Sequence, residues 1–250
     1  MLPATDRILA LVALGLLAGS AAVGPDAGPA GWVIAAASIV LAAVTVRLRA
    51  EASRSIAVLV AALAVAACAP LPWQAMMAIA LGLHALAARV LPGVAPGPQW
   101  RSLGRPTLGW AALVGGVTPV ALLGWLFALH PDLSDIRAML PDLPLAAMIA
   151  GGVAFAFVNA ILEELVWRGV LQDRLAVLFG SGGAIALQAA SFGLHHLHGV
   201  PRGAVGVLLA GTWAAMLGLL RRRSGGLLAP ILAHVVADAT IAIIVLLRLG

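Results

Sequence analysis

Nine stretches of mostly apolar residues, each 17 to 23 residues long, follow one another along the 250-residue chain. A helix needs roughly 20 such residues to cross the hydrocarbon core of a bilayer. Inside lipid, backbone polar groups are satisfied only in helices or closed barrels. The pattern therefore predicts an all-α, polytopic transmembrane helical bundle of about eight or nine spans. The predicted spans are residues 8–24, 30–46, 55–72, 74–91, 107–129, 145–167, 182–199, 203–220 and 226–247.

The composition excludes two other classes of protein. Hydrophobic residues make up 62% of the chain and charged residues 10%, whereas soluble domains are about half apolar and about a quarter charged. A soluble globule could not cover its surface with so few polar groups, and disorder requires low hydrophobicity.

The basic residues indicate a membrane lipid partner and no nucleic acid. All fifteen are arginines, and they lie in short clusters between the apolar stretches. Placing the N-terminus in the cytoplasm puts twelve of the fifteen on one side, as expected for cytoplasmic loops. We therefore expect an integral protein of a bacterial inner membrane with a cytoplasmic N-terminus. Residues 8–24 also resemble a signal peptide, but a retained helix is favoured because eight more spans follow.

A loop rich in proline and glycine, residues 92–106, is predicted to divide the chain. The N-terminal spans, residues 1–91, contain almost no ionisable side chain. His84 lies well inside a predicted span, whereas Arg89 lies near the end of one, and we interpret His84 as a packing or hydrogen-bonding residue. The single cysteine, Cys68, has no partner for a disulfide within the chain.

The C-terminal part, residues 107–250, concentrates ionisable side chains inside predicted spans, where they are costly and indicate function. At 100° per residue, Glu164 and Arg168 lie close enough on one helix face to pair, which leaves Glu163 free. His234 and Asp238 share a face for the same reason. A turn at residues 180–183, preceded by a helix that continues past Arg168, would bring Glu163 and His196 to similar depths. The ionisable residues on which this prediction rests are Glu163, Glu164, Arg168, His195, His196, His198, His234 and Asp238.

A carboxylate beside a neutral imidazole can deprotonate water, and a second imidazole can stabilise an oxyanion. These are the requirements for hydrolysing an amide by direct attack of water. Neither a GxSxG nor an HExxH motif occurs in the sequence, so the serine-hydrolase and zincin arrangements that carry those motifs are not expected.

Three short motifs, each on a predicted span, resemble those of one family. They are GluGluLeuValTrpArg at 163–168 (EExxxR), PheGlyLeuHisHis at 192–196 (FxxxH) and HisValValAlaAsp at 234–238 (HxxxN/D). In this order they resemble the CPBP family of intramembrane proteases, which includes CAAX proteases and bacteriocin-processing enzymes. The resemblance covers roughly residues 107–247.

The resemblance implies an intramembrane glutamic-type endopeptidase that acts on a membrane-associated protein or peptide. Glu163 would be the general base and His196 would assist it. His234 and Asp238 would bind the oxyanion or orient its ligand, although an ionised Asp238 cannot donate the hydrogen bond that asparagine donates there in relatives. Supporting roles would belong to Glu164, Arg168 and Phe192.

Several alternatives stay open. No cofactor is favoured, but a Zn²⁺-dependent version of the same hydrolysis would use Glu163, His196, His234 and Asp238 as ligands. His195 and His198 could add ligands, although we favour an interfacial cap. The chain could also be a non-catalytic immunity or scaffold protein of the same fold. A proton-coupled transporter is disfavoured because the charged residues are not distributed through both halves. The substrate could be a prenylated tail, a bacteriocin leader or a C-terminal sorting tag.

Overall fold

A computed structural model of the protein describes residues 4–24, 28–94, 100–101 and 103–247. All regular structure in these residues is helical, which confirms the predicted all-α class. The helices are α1 (Ala4–Val23), α2 (Gly28–Arg47), α3 (Glu51–Ala66), α4 (Trp73–Val90), α5 (Arg105–Leu129), α6 (Ser134–Met139), α7 (Leu145–Glu164), α8 (Gln172–His195), α9 (Gly203–Ser224) and α10 (Leu228–Leu247), with a π-helical segment, Leu165–Leu171, between α7 and α8.

Among the described residues, seven helical stretches are long and apolar enough to cross a membrane. The number is lower than eight or nine for two reasons. The predicted span at 55–72 begins within α3, which has 16 residues and ends at Ala66. Most of α3 is buried among other helices, so it need not match the full thickness of the lipid. The spans predicted at 145–167 and 182–199 belong to one helical stretch, Leu145–His195.

That long stretch folds back on itself at Gly180, whose backbone angles (φ 72°, ψ 170°) interrupt α8. A positive φ is readily adopted by glycine because it has no Cβ. The rings of Trp167 and His195, on opposite sides of Gly180, have centroids 5.2 Å apart. The predicted turn at 180–183 and the predicted continuation of the helix past Arg168 are therefore both present.

Buried polar contacts hold the N-terminal helices together. Asp6 on α1 accepts hydrogen bonds from the backbone N–H and the hydroxyl of Ser53. The guanidinium of Arg54 donates to the carbonyl oxygens of Thr45 and Pro92. Arg54 therefore caps the C-terminal end of α2 from the protein interior. Packing explains the position of Arg54, so this arginine does not indicate the orientation of the protein in the membrane.

His84 on α4 is buried, and its Nε2 lies 2.9 Å from the hydroxyl of Ser55 on α3. The expected structural role of this histidine is confirmed. The predicted loop at 92–106 lies partly outside the described residues, and its role as a boundary between two parts of the chain stays a prediction.

The C-terminal helices pack closely, and one glycine sets the closest approach. α8 packs on α9, and α7 packs on α10. A Cβ added at Gly193 on α8 would lie 2.6 Å from the carbonyl oxygen of Val207 on α9. Small residues at helix contacts are a common device in membranes, where close backbone approach stabilises association. This contact positions the flanking residues Phe192 and His196.

Candidate active site

A cavity of about 970 Å³ lies within the bundle. Apolar side chains from α1, α2, α5, α7 and α10 form much of its wall. The four residues predicted to be catalytic all line it: Glu163, His196, His234 and Asp238. The structure therefore brings onto one surface residues from three helices that are up to 75 positions apart in the sequence.

Glu163 on α7 is about 8% exposed, and each of its carboxylate oxygens has a different neighbour. Oε1 accepts a hydrogen bond of 2.9 Å from the indole Nε1–H of Trp73 on α4. Oε2 lies 3.4 Å from Nε2 of His234 on α10. Two elements distant in sequence thus orient this carboxylate toward the cavity.

His234 is buried in the middle of the cluster. Its Nδ1 lies 2.7 Å from Oε1 of Glu164, and its Nε2 lies 3.7 Å from Oδ1 of Asp238. Since Glu164 also accepts a bond from Arg168, it acts as an acceptor toward His234, and Nδ1 carries the donated hydrogen. The tautomer is fixed in this way, and Nε2 is the ring atom that faces Glu163 and Asp238.

Glu164 and Arg168 form a fully buried ion pair, with Nη1 of Arg168 2.8 Å from Oε1 of Glu164. The predicted pairing at i, i+4 is therefore present. Arg168 also donates to the carbonyl oxygen of Ala214 on α9 at 3.2 Å, and its guanidinium lies 4.8 Å from the centre of the Phe192 ring. Arg168 thus ties the π-helical segment to α8 and α9.

A chain of amide hydrogen bonds reaches Asp238. Asn159 on α7 donates from Nδ2 to Oδ2 of Asp238 at 3.1 Å. Gln74 on α4 in turn donates from Nε2 to Oδ1 of Asn159 at 3.0 Å. An amide donor therefore lies next to the carboxylate of Asp238.

The three histidines near the end of α8 differ in their surroundings. Nδ1 of His196 lies 3.1 Å from the carbonyl oxygen of Phe192. Because a carbonyl oxygen only accepts, Nδ1 carries the hydrogen, and Nε2 of the neutral ring is an acceptor. His195 donates likewise to Ser191 at 2.8 Å and packs against Trp73 and Trp167.

His198, the third of these histidines, is exposed, and its ring lies 3.3 Å from the carbonyl oxygen of Ala22 on α1. His195 and His198 both line the cavity, and their role as an interfacial cap stays a prediction.

The residues named as zinc ligands do not fit an ion as they are arranged. In the part of the chain that the structure describes, no group of three or more histidine, cysteine, aspartate or glutamate side chains is placed to hold a metal. Nδ1 of His234 is engaged by Glu164, and Oε1 of Glu163 by Trp73. We derive no step through a metal, and the requirement for one stays a question for experiment.

Sequence reasoning missed three residues that contact the candidate catalytic groups, Trp73, Asn159 and Trp213, and two that contact those residues, Gln74 and Trp167. Trp73 at the start of α4 bonds to Glu163 on α7. The ring of Trp213 lies 4.7 Å from that of His234, edge to face. No pattern within a single helix predicts such contacts between helices.

Comparison with known proteins finds one similarity, and it lies in the C-terminal part of the chain. Residues 145–240 match the family described as type II CAAX prenyl endopeptidase Rce1-like. The matched segment runs from α7 into α10 and is consistent with the CPBP resemblance carried by the three motifs. No curated protein and no solved structure matches the chain. Trp73 and Gln74 lie outside the matched segment.

Proposed function

We propose that this integral membrane protein, with its Rce1-like CAAX endopeptidase domain, is a glutamic-type intramembrane endopeptidase. The observation that carries the proposal is the convergence of Glu163, His196, His234 and Asp238 on one cavity inside the bundle. The family supports peptide-bond cleavage in general. The roles of the individual residues and the class of substrate are our proposal.

In the proposed reaction, Glu163 removes a proton from a water molecule in the cavity while the water oxygen attacks the scissile carbonyl carbon. Nε2 of His196, free to accept a hydrogen bond, helps to orient that water. The resulting tetrahedral oxyanion collapses as the C–N bond breaks. The proton held by Glu163 passes to the leaving nitrogen, so the products are a carboxylic acid and an amine. General-base catalysis of this kind contributes about 10²- to 10⁴-fold to a rate.

The oxyanion needs a donor, and we assign that role to Nε2 of His234 when the ring is protonated. Glu164 holds Nδ1 at 2.7 Å, so the ring cannot turn without breaking this bond. The carboxylate of Asp238 lies 3.7 Å from Nε2. In this arrangement Asp238 orients the ring of His234 and does not itself donate a hydrogen bond to the oxyanion.

The proposed substrate is a membrane-anchored or membrane-inserted protein or peptide that is cut near its terminus. The cavity is large and mostly apolar, as expected for a site that receives a hydrophobic segment or lipid anchor. We also propose that the protein resides in a bacterial inner membrane with a cytoplasmic N-terminus, so that the site opens nearer the cytoplasm.

The test compares the C-termini of membrane proteins in cells that produce the wild-type protein, the Glu163→Gln variant or the Glu51→Gln variant. Glu51 is an exposed glutamate at the start of α3, so its substitution is a matched control. We expect at least one terminus that appears with the wild type and the control and is lost with Glu163→Gln at equal expression. Identical termini in all three strains would refute the proposal and favour the non-catalytic immunity or scaffold protein.

A further inference from the structure

The N-terminus of α4 contributes two adjacent side chains to the candidate active site, although α4 lies outside the matched domain. Trp73 donates to Glu163 at 2.9 Å. Gln74 donates to Asn159 at 3.0 Å, and Asn159 donates to Asp238 at 3.1 Å. Both hydrogen-bond chains end on a carboxylate that lines the cavity.

Helix geometry explains how neighbouring residues reach two different carboxylates. Trp73 and Gln74 differ by about 100° around α4, so they face α7 at different points. On α7, Asn159 and Glu163 lie four residues apart on one face. The first two residues of α4 therefore contact two residues that are one turn apart on α7. Each contact helps to hold the other in register.

We infer that Trp73 and Gln74 are positioning residues of the endopeptidase, acting through Glu163 and through Asn159–Asp238. The inference rests on the proposed function. It makes α4 part of the catalytic unit, which would then not be confined to residues 145–240.

Trp73 holds one carboxylate oxygen of Glu163 and leaves the other available. Because Oε1 is occupied by the indole N–H, Oε2 is the oxygen 3.4 Å from His234 that remains to accept a proton from water. Without the bond, the carboxylate could rotate about its terminal torsion, which is only weakly restrained in glutamate. Trp73 also packs against Trp167, with ring centroids 6.1 Å apart.

Gln74 determines which way the amide of Asn159 points. The donated hydrogen must meet the Oδ1 oxygen of Asn159, so the NH₂ group of Asn159 faces Asp238. If Gln74 were absent, only the bond to Asp238 would hold this amide, and Asn159 would be less firmly placed to donate. The hydrogen-bond direction is therefore transmitted from α4 to α10 through α7.

The experiment measures kcat and KM on a substrate identified as above, using the full-length protein with Trp73→Phe or Gln74→Leu. Phenylalanine keeps an aromatic ring for packing but removes the N–H donor. We expect Trp73→Phe to lower kcat about tenfold, as for loss of a hydrogen bond to a charged group, and Gln74→Leu to lower it by roughly threefold. KM should change by less than about twofold.

Two controls separate positioning from a general structural effect. Trp125→Phe changes a buried tryptophan on α5, and Gln172→Leu removes a buried bond to the carbonyl oxygen of Gly218; neither residue lines the cavity. Both control proteins should keep the wild-type kcat. In the Glu163→Gln background, Trp73→Phe should lower the residual rate no further, because the indole acts through the missing carboxylate.

The outcomes distinguish this inference from the proposed function. Full activity of Glu163→Gln would refute the proposed function. Loss of activity in Glu163→Gln with wild-type kcat in both Trp73→Phe and Gln74→Leu would overturn the inference alone. A change in KM without a change in kcat would also overturn it, because it would assign α4 to substrate binding. If Trp73→Phe does not fold, an unchanged kcat in Gln74→Leu is sufficient to overturn it.

Discussion

Glu164→Gln is predicted to destabilise the folded protein by about 3–5 kcal/mol, the usual cost of removing one partner from a buried ion pair. The side chains of Glu164 and Arg168 are both 0% exposed, and their charged atoms lie 2.8 Å apart. The variant leaves the guanidinium of Arg168 without its counter-charge in an interior that solvent does not reach. It also weakens the bond that Glu164 accepts from His234.

A second ion pair provides the matched control. Arg221 and Asp173 approach to 2.9 Å, but the side chain of Asp173 is 38% exposed. Asp173→Asn makes the same carboxylate-to-amide change, and partly hydrated pairs contribute about 0–1 kcal/mol. The two ion pairs have nearly equal N–O distances. A difference of several kcal/mol between the unfolding free energies of the two variants would therefore come from the difference in burial.

The assay is the free energy of unfolding, measured by titrating sodium dodecyl sulfate into protein held in mild detergent micelles. A double variant, Glu164→Gln with Arg168→Met, tests the cause. It removes the buried cation as well, so we expect it to be more stable than Glu164→Gln alone. Equal losses of unfolding free energy in Glu164→Gln and Asp173→Asn would refute the reasoning. So would a double variant whose loss of unfolding free energy equals the sum of the losses in Glu164→Gln and in Arg168→Met.

Three further predictions concern packing, metal dependence and orientation. Gly193→Ala should lower the free energy of unfolding by about 1–3 kcal/mol, because its Cβ would lie 2.6 Å from the carbonyl oxygen of Val207. Gly182→Ala is the control and should be neutral, because a Cβ there has no atom within 4 Å. Equal losses of unfolding free energy in the two variants would contradict the packing argument. Cleavage by the purified protein should persist in EDTA and 1,10-phenanthroline, whereas loss that zinc reverses would contradict a metal-free mechanism. A green fluorescent protein fused to the N-terminus should fluoresce in a bacterial host, since it folds in the cytoplasm; a dark fusion at equal expression would reverse the proposed orientation.

The helical class and most of the spans could be predicted from hydropathy because the bilayer imposes the length and the backbone bonding of each span. The pairing of Glu164 with Arg168 could be predicted because both residues lie on one helix, where a spacing of four sets the distance. The contact between His234 and Asp238 follows from the same spacing.

Contacts between helices could not be predicted in this way. Trp73 and Glu163 are 90 residues apart, and nothing in either helix alone indicates that they meet. The bond from His234 to Glu164 was missed for the same reason, since Arg168 already satisfied the expected pairing of Glu164. The end of the predicted span at 55–72 was placed six residues beyond the end of α3 at Ala66, because hydropathy does not locate the residue at which a helix ends.

The most direct test of the account is the single-turnover rate of the purified Glu163→Gln protein on an identified substrate, relative to wild type at equal amounts of folded protein. The account holds that the carboxylate of Glu163 takes the proton from the attacking water. It therefore predicts a rate lower by about 10²- to 10⁴-fold. A rate within about twofold of wild type would contradict the assignment of Glu163 as the general base.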